Sequence, residues 1–495
     1  MITKREFLNT NVCPTLGWLC HNQKGERTPL TFAQENRFYI GNLIGQKSRE
    51  QFPNGKMITG INNQSVIDTT KIETQNVQNG TFFEAAFEAD GFIAKADILR
   101  KTGDSYQIIE VKSSTEKDLS KSEGKEYIED VAYTVWVARK AGFNIENASL
   151  WFLSKDYRFG DDEGKLFSNN ECTQAVDMLV PVYESKANFI QTILQNTNQP
   201  PPVPIKDCKN CDFNHQCYPD FDTMTIYQIP RLRLEKHLEN GRRTAQDMVE
   251  EKLNNTQKRV VDCIIDQAVY NDQAAIDKEF QEWQYPIAYF DFETVSPPLP
   301  IIQNTKAYER LPFQYSLHIA QNKAQPIDDY EHREYLADPK DMAKSINELA
   351  QRMADDLEHC KTIVAYHDSF EKGVTKWLAQ WAENHGDFTL SDKLKAIKEK
   401  FVDLKKVIEK NYYDPQFKGS FSIKKTLPVL VPELSYDNLV VGNGDEATTI
   451  FLNMILGRED ELQEKGMILP ERKDMLAYCK LDTWAMVVLK EALEK

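Results

Sequence analysis

Two apolar runs on either side of a short polar turn predict a β-hairpin in the first half of the chain. The runs are Ala96–Leu99 and Tyr106–Lys112, and the turn between them, residues 101–105, contains Thr, Gly, Asp and Ser. Apolar and β-branched runs favour strands, whereas this turn composition ends them. Helical spacing of apolar residues follows over Tyr127–Arg139, and a further apolar strand over Ala148–Leu153. The first half of the chain is therefore expected to form an α/β domain around the hairpin.

The hairpin also gathers charged residues at one edge of its sheet. Because side chains alternate between the two faces of a strand, Glu110 and Lys112 project from the same side, which Asp97 can also reach. Carboxylate oxygens hold hard divalent cations such as Mg²⁺ or Mn²⁺. A lysine beside them can orient an attacking water and offset the charge of a phosphate. The three residues are therefore candidates for a hydrolytic metal site, the alternative being an amphipathic hairpin with a solvated charged face.

A second acidic stretch opens the last part of the chain. The apolar strand Ile287–Thr294 places Asp291 and Glu293 on one face. Acids in an otherwise buried strand are costly unless something such as a metal compensates them. On the last predicted helix Tyr478 and Asp482 are four residues apart, so they share a face as well.

The start of a helix between these two stretches supplies a further acid. Residues 367–371 read His-Asp-Ser-Phe-Glu and follow the predicted strand Thr362–Tyr366. Glu371 is the candidate metal ligand there, and Asp368 is its rival. Any one of these acids is unremarkable, but the ordered set Asp-x-Glu, then Glu, then Tyr-x3-Asp is hard to obtain by chance. The set predicts a second metal site.

Five of the nine cysteines are clustered in the sequence. Cys208, Cys211 and Cys217 form a C-x2-C-x5-C array, a spacing typical of metal ligands. A four-coordinate site lacks one ligand, which Cys13 or Cys20 would supply if the chain ends meet. Zinc and a 4Fe–4S cluster both accept four thiolates in a tetrahedral arrangement, so spacing leaves both open.

Length and charge limit the class of protein. A chain of 495 residues is long enough for two or three domains. The net charge of −16 argues against a protein that coats nucleic acid passively, because such proteins are usually basic. It is compatible with an enzyme whose carboxylates bind metal first and phosphate second. The sequence contains neither an apolar run of membrane-spanning length nor an apolar signal-peptide core, so we expect a cytoplasmic protein without a membrane partner.

The expected organisation is an N-terminal α/β domain over residues 1–220, a helical connector over 221–284 and a C-terminal α/β domain over 285–495. In the connector, two helices over Ile226–Leu238 and Thr244–Leu253 would flank an Asn-Gly turn. Such a helical hairpin can bind a DNA backbone through turn amides or pack between two domains.

The residues of the first domain resemble the RecB-type branch of the PD-(D/E)XK nucleases. The likeness is greatest to its iron–sulfur members, the CRISPR-associated RecB-like exonucleases and AddB-type helicase–nucleases, and covers about residues 1–220. It implies a restriction-endonuclease-like fold in which Asp97 and Glu110 bind the catalytic metal beside Lys112. It also implies a 4Fe–4S cluster on one leading and three trailing cysteines, which here are Cys13, Cys208, Cys211 and Cys217. Where those relatives have a Gln and a Tyr on the following helix, this chain has Asp130 and Tyr133; their early metal-binding histidine has no clear match, with Glu35 and His21 as candidates.

The second acidic set resembles the DEDDy branch of the RNase H-like 3′–5′ exonucleases. In that family four acids hold two metal ions and a tyrosine positions the attacking water. The resemblance assigns the metal ligands to Asp291, Glu293, Glu371 and Asp482 and the water-positioning role to Tyr478, although the family has Asp where this chain has Glu371. The whole C-terminal half also looks like the domain-of-unknown-function family 2779, which is commonly joined to a RecB-like domain.

Together these resemblances imply a metal-dependent nuclease with a RecB-like DNase domain and a 3′–5′ exonuclease domain. The expected partner is nucleic acid, with DNA bearing single-stranded ends as the first choice and RNA left open. The alternatives are a nucleic-acid-binding or scaffold protein with inactive sites, and a chain in which one domain cuts while the other grips the strand.

Overall fold

The computed structural model describes residues 1–22, 31–436 and 439–494, which form two compact units. The first unit comprises Met1–Val203 together with Pro297–Glu309, and the second comprises Pro204–Ser296 together with Arg310–Lys495. The division therefore falls at residues 203/204, whereas the sequence led us to expect one at 220/221. Both units mix helices with a β-sheet, so the predicted α/β class is confirmed. In the described parts of the chain, no helix is both long and apolar enough to cross a bilayer.

The first unit is built on one mixed sheet. Its helices are α1 (Lys4–Val12), α2 (Pro14–Asn22), α3 (Phe32–Glu50), α4 (Asn63–Gln75), α5 (Ser122–Lys140) and α6 (Thr173–Gln195). Its strands are β1 (Ile2–Thr3), β2 (Lys56–Met57), β3 (Asn79–Ala89), β4 (Phe92–Thr102), β5 (Ser105–Thr115), β6 (Ile145–Leu153) and β7 (Phe167–Glu171). The sheet order is β2-β3-β4-β5-β6-β7, with β1 parallel to the start of β4. The parallel pair β5–β6 is joined through α5, which packs on the sheet.

The predicted hairpin is the centre of this sheet. Strands β4 and β5 are antiparallel, with Ile98 opposite Ile109 and Leu99 opposite Ile108. The preceding strand, β3, ends at Ala89. The reason is that Asp90 and Gly91 both have positive φ, 50° and 83°, the backbone that a two-residue hairpin turn requires. The sequence prediction of the hairpin is confirmed, and it lies in a longer β-meander.

An aromatic core fixes α5 and the N-terminal helices against the sheet. Phe7 packs against Tyr133, Trp136 and Tyr183 at ring-centroid distances of 5.1, 5.3 and 5.0 Å. The Tyr133 hydroxyl donates to the carbonyls of β1 and β4, at 3.0 Å to Ile2 and 3.2 Å to Ile93. These contacts bring the start of the chain beside β4 and β5.

The second unit contains a five-stranded sheet surrounded by helices. Its strands are β8 (Tyr270–Asn271), β9 (Ile287–Val295), β10 (Leu311–Ala320), β11 (Glu331–Leu336), β12 (Thr362–Ala365), β13 (Phe401–Asp403) and β14 (Tyr412–Tyr413). Its helices are α7 (Asn214–Cys217), α8 (Leu234–Glu239), α9 (Asn255–Asp266), α10 (Gln273–Gln281), α11 (Met342–Leu357), α12 (Ser369–Asn384), α13 (Phe388–Lys398), α14 (Leu404–Asn411), α15 (Ile423–Leu430), α16 (Gly444–Ile455), α17 (Glu459–Glu464) and α18 (Arg472–Leu493). The sheet order is β11-β10-β9-β12-β13, antiparallel from β11 to β9 and parallel from β9 to β13. Strands β8 and β14 form a separate pair.

Polar side chains on β10 anchor the last helix over the centre of this sheet. The buried Gln314 amide donates to the Met475 carbonyl at 2.9 Å, and the Ser316 hydroxyl lies 3.1 Å from that of Thr483. The same strand pairs with β9, so that Ser316 is opposite Asp291. Helix α18 is therefore held directly across the strand that carries the predicted acids.

The connector differs from the predicted helix–turn–helix hairpin. Helix α8 is a short segment, and the described structure of residues 221–250 otherwise consists of turns and 3₁₀ segments. Pro230 and the left-handed Arg231, with φ of 53°, interrupt the first predicted helix. The second predicted helix is also absent: the Asp247 carboxylate accepts the amides of Arg243 and Thr244, both at 2.8 Å, and only a 3₁₀ turn, Gln246–Met248, follows. The prediction of two helices here was wrong.

Candidate active sites

The hairpin positions the first acidic site, which we define as Asp97, Glu110 and Lys112. The ladder between β3 and β4 is interrupted at Glu84 and Asp97 without a change of register, and Glu84 there has a φ of 59°. The Asp97 Oδ2 atom then accepts the Val111 amide at 2.7 Å, beyond the last ladder pair Ile98–Ile109. A side-chain oxygen therefore takes the place of a ladder acceptor and brings the Asp97 carboxylate beside Glu110.

Two lysines neutralise this site. Lys4 Nζ lies 2.9 Å from Glu110 Oε1 and 2.9 Å from Asp130 Oδ1. Lys112 Nζ lies 3.1 Å from Glu110 Oε1 and forms an ion pair with Asp130 Oδ2. Asp130, which differs from the family pattern, is thus the partner of both lysines. Lys4 was missed by sequence reasoning, because nothing in its neighbourhood connects it with a residue 106 positions away.

Burial sets the protonation of the first acidic site. It raises the pKa of Glu110 to about 7, and the charge of Asp97 adds to the effect. Burial also raises the pKa of Asp97. Burial acts in the same direction on Asp130, but the two lysines outweigh it and its pKa is lowered. No donor among the described residues reaches Glu110 Oε2, which is buried, so this oxygen retains the capacity to bind a cation.

The remaining candidates from the sequence have other partners in the first unit. His21 Nδ1 lies 3.0 Å from Glu6 Oε1, and the Tyr133 hydroxyl is bonded to backbone carbonyls. Glu35 is buried on α3. Besides these, the charge of Glu84 on β3 acts on the pKa of Asp97.

The predicted cysteine ligands belong to both units. Cys13 lies in the first unit, where its sulfur accepts the Leu16 amide at 3.4 Å. Cys208, Cys211 and Cys217 lie in the second unit on two short helical turns, and the Cys208 sulfur accepts the Ile205 amide at 3.4 Å. The ligand set remains a prediction from sequence spacing.

The second acidic site consists of Asp291 and Glu293 on β9 and Asp482 on α18. One carboxylate oxygen from each lies within 4.8 Å of the other two. The Asp482 Oδ1 atom also accepts a hydrogen bond from the Tyr436 hydroxyl at 2.6 Å. Three acids from two elements far apart in the chain thus form one potential metal centre, and the structure brings together what the sequence predicted for these positions.

Glu371 and its rival Asp368 have different surroundings. Glu371 is buried in the first turn of α12, and within the described residues its Oε2 atom has no hydrogen-bond partner. The Asp368 carboxylate is paired with Lys372 at 2.6 Å and Lys406 at 2.7 Å. The charge of Glu371 also contributes to the raised pKa of Asp291. The lack of a partner at Glu371 Oε2 favours Glu371 over Asp368 as a further ligand, and the group whose oxygens lie within 4.8 Å of one another comprises Asp291, Glu293 and Asp482 without Glu371.

The charge of the second acidic site is not balanced by a contacting cation. Burial, followed by the charge of Asp482, raises the pKa values of Asp291 and Glu293 well above the ordinary range. Burial raises the pKa of Glu371 to about 8. It raises that of Asp482 to about 6, although the Tyr436 hydrogen bond acts in the opposite direction. A bound divalent cation would remove this repulsion, so the donor set fits a metal of the Mg²⁺ or Mn²⁺ type.

The second acidic site opens into a cleft of about 660 Å³. Tyr478 lines it, and its hydroxyl is hydrogen-bonded to Asp482. Gly444, the first residue of α16, leaves the floor open: a Cβ atom there would lie 3.5 Å from both Glu293 oxygens and 3.8 Å from the Tyr478 hydroxyl. Lys424 on α15 lines the cleft as well. Lys424, Tyr436 and Gly444 were all missed from the sequence, because no local pattern relates them to the acids.

Comparison with known proteins assigns a family description to part of each half of the chain. Residues 46–218 match the PD-(D/E)XK nuclease superfamily, and residues 288–422 match a domain of unknown function, DUF2779. Both domains are therefore present in this chain. The first points to a metal-dependent nuclease, and the description of the second names no activity.

Curated relatives come from mycoplasmas. The uncharacterized protein MG366 of Mycoplasma genitalium is 28% identical over 214 residues, covering 40% of this chain and 30% of the relative. The uncharacterized protein UU173 of Ureaplasma parvum is 24% identical over 251 residues, covering 45% of this chain and 33% of the relative. The MG366 homolog of Mycoplasma pneumoniae is 27% identical over 217 residues, covering 41% and 31%. The chain thus spans about a third of the length of the curated relatives it matches.

Proposed function

We propose that this protein is a divalent-metal-dependent nuclease whose second acidic site removes nucleotides from 3′ ends, as a DEDDy-type RNase H-like exonuclease does. The observation that carries the proposal is the triad of Asp291, Glu293 and Asp482, whose oxygens converge at the floor of an open cleft without a contacting cation. The sheet order with β9 at its centre, antiparallel on one side and parallel on the other, supports the fold assignment.

The residues of the second acidic site have distinct tasks in this proposal. Asp291, Glu293, Asp482 and Glu371 would hold the metal. Divalent ions bound there would supply a hydroxide nucleophile at neutral pH and stabilise the leaving oxygen. The Tyr478 hydroxyl, which lies at the same floor, orients the water that attacks the phosphorus.

The first acidic site is proposed to be a RecB-like DNase centre. Asp97 and Glu110 would hold Mg²⁺ or Mn²⁺, and the free Oε2 atom of Glu110 supports this. Lys112 lies close enough to Glu110 to contact a phosphate bound to that metal. A second candidate is a chain in which only the second site cuts, because Lys4 and Lys112 already compensate Glu110. In that case the first unit binds the strand.

The proposed 4Fe–4S cluster on Cys13, Cys208, Cys211 and Cys217, with zinc as the alternative, rests on the sequence spacing and the family resemblance. The visible absorption spectrum and the metal content of anaerobically purified protein test it, because iron with labile sulfide distinguishes a cluster from zinc. Colourless protein that contains neither metal would contradict it.

Activity on end-labelled single-stranded DNA and RNA tests the nuclease proposal. A 5′-labelled strand should give a ladder of shortened products with Mn²⁺ or Mg²⁺, whereas a 3′-labelled strand should release labelled mononucleotide at once. Asp291→Asn should abolish the ladder, and Lys112→Ala should leave it. A ladder that survives Asp291→Asn, or the absence of digestion by folded wild-type protein in all metals, would overturn the proposal.

A further inference from the structure

The cleft of the second acidic site contains a lysine that the proposed metal chemistry does not use. Lys424 lies in the first turn of α15, and its Nζ atom donates to the Gly442 carbonyl at 2.8 Å. The ammonium lies 5.7 Å from the ring centroid of Tyr436 and 5.8 Å from that of Tyr478. Two aromatic rings and one carbonyl therefore hold the positive charge at the wall of the cleft.

Lys424 is close enough to the acids to affect them but is not paired with one. Its charge lowers the pKa values of Glu293 and Asp482, against the effect of burial. Among the described residues, no carboxylate oxygen lies within ion-pair distance of its Nζ atom. The side chain is exposed to the cleft. A cation held beside Glu293 and Asp482 without an ion pair to either remains available to a ligand.

The balance of charge indicates what that ligand is. Divalent ions that match the acids would neutralise Asp291, Glu293, Glu371 and Asp482. A phosphodiester then brings one further negative charge to the cleft, which requires one further cation. An ammonium is a compact point charge with three donors, suited to a non-bridging phosphate oxygen.

The other cation that lines the cleft is placed differently. The Arg310 guanidinium lies over the ring of Phe370, 4.9 Å from its centroid, whereas Lys424 lies beside Tyr478. Asp445 also lines the cleft and adds to the negative charge around Glu293. Of the two cations, Lys424 is therefore the one at the reacting end.

We propose that Lys424 binds a non-bridging oxygen of the phosphate that is cleaved in the second acidic site, an inference that rests on the proposed exonuclease function. In that reaction a water oxygen bonds to phosphorus and the bond from phosphorus to the 3′ oxygen breaks. The water proton passes to solvent and the 3′ oxygen takes up a proton, so that the shortened strand ends in a hydroxyl and the nucleotide leaves as a 5′-monophosphate. Lys424 offsets the charge that accumulates on the non-bridging oxygens, and its contact persists in the product phosphate.

The test compares Lys424→Met with its neighbour Lys425→Met, which removes an equally exposed lysine one position away on α15. On single-stranded DNA with Mn²⁺, kcat/KM should fall about 100-fold in Lys424→Met and stay within about twofold in Lys425→Met. Lys424→Arg should recover part of the loss. Binding of thymidine 5′-monophosphate in the presence of Ca²⁺ should weaken in Lys424→Met, whereas Mn²⁺ binding should be unchanged or tighter, because a competing positive charge has been removed.

The outcomes separate this inference from the exonuclease proposal. Wild-type rates in Lys424→Met, or a loss of rate together with weaker Mn²⁺ binding, would overturn the role of Lys424 while leaving the exonuclease in place. Inert wild-type protein would overturn the exonuclease proposal itself, and the phosphate role of Lys424 with it.

Discussion

The two acidic sites use the same residue types but balance their charge in opposite ways. In the first, Lys4 and Lys112 contact Glu110 and Asp130 at ion-pair distances, so that two cations meet the acids directly. This pairing compensates part of the negative charge of the first site, although Glu110 Oε2 accepts no hydrogen bond from the described residues.

In the second acidic site the acids face one another. Asp291, Glu293 and Asp482 converge within 4.8 Å, and Lys424, the cation nearby, makes its hydrogen bond to a carbonyl. The charges of the neighbouring acids therefore raise the pKa values of Asp291 and Glu293, in addition to the effect of burial. This difference predicts that the second unit depends on a divalent cation more strongly than the first does. The dependence should appear both in its activity and in its stability.

The largest expected effect is that of removing one acid from the second site. Asp482→Asn should lower 3′–5′ exonuclease activity by at least about 1,000-fold, because the metal loses a ligand. Its melting temperature in chelator should be equal or higher, since one repelling charge is gone. Digestion of a 5′-labelled strand and calorimetry measure the two effects. Asp328→Asn, an exposed acid on the same unit, is the control. Activity that survives in Asp482→Asn would remove the distinction between the sites.

Removing a lysine from the first acidic site should instead lower the stability of the fold. Lys4→Met leaves the buried Glu110 with one partner fewer and should cost about 3 kcal/mol of unfolding free energy. Urea unfolding of the full chain measures it. Lys47→Met breaks a pair with Glu50 on the surface of α3 and should cost less than about 1 kcal/mol. Equal losses in the two variants would show that Lys4 does not balance the first site.

The second site should also make stability depend on pH when metal is chelated. The pKa of Glu371 is raised to about 8 and that of Asp482 to about 6, so folding favours their protonated forms. The stability that they contribute to the folded state is present below the ordinary carboxyl pKa of about 4.5. It is lost as the pH rises towards 8. The melting temperature in chelator should therefore fall across this interval, and Mn²⁺ or Glu371→Gln should reduce the fall. A flat profile in chelator would contradict the charge assignment.

The smallest effect is expected at the hydrogen bond to Asp482. Tyr436→Phe removes the donor 2.6 Å from Asp482 Oδ1 and should weaken Mn²⁺ binding about tenfold by misorienting the carboxylate. The metal concentration that gives half-maximal activity measures it, with Tyr330→Phe as the control. An unchanged metal requirement would place Tyr436 outside the metal site.

Local patterns in the sequence were sufficient to predict the strands that carry the acids. The alternation of apolar and charged residues around Glu110 and Asp291 predicted both the strands and the faces, because a two-residue period is visible in a short segment. The four-residue spacing of Tyr478 and Asp482 likewise predicted that they share one face of a helix, because this spacing is also visible in a short segment. The hairpin, the central strand of the second sheet and the last helix were therefore foreseeable.

The groups that balance the charge were not foreseeable. Lys4 reaches Glu110 across 106 positions, and Tyr436 reaches Asp482 across 46, through contacts that only the tertiary fold creates. The predicted helical hairpin in the connector failed because Pro230 and the left-handed Arg231 interrupt its first helix. Sequence reasoning thus found the acids but could not tell the compensated site from the uncompensated one.

The most direct test of the central claim is Mn²⁺ binding, measured by the loss of the free-ion signal in electron paramagnetic resonance. Wild type, Asp482→Asn and Glu110→Gln would be titrated in parallel. We expect Asp482→Asn to lose the Mn²⁺ equivalents that the second acidic site holds, and Glu110→Gln to retain them. Equal binding by wild type and Asp482→Asn would contradict the claim that the convergent acids form a metal site.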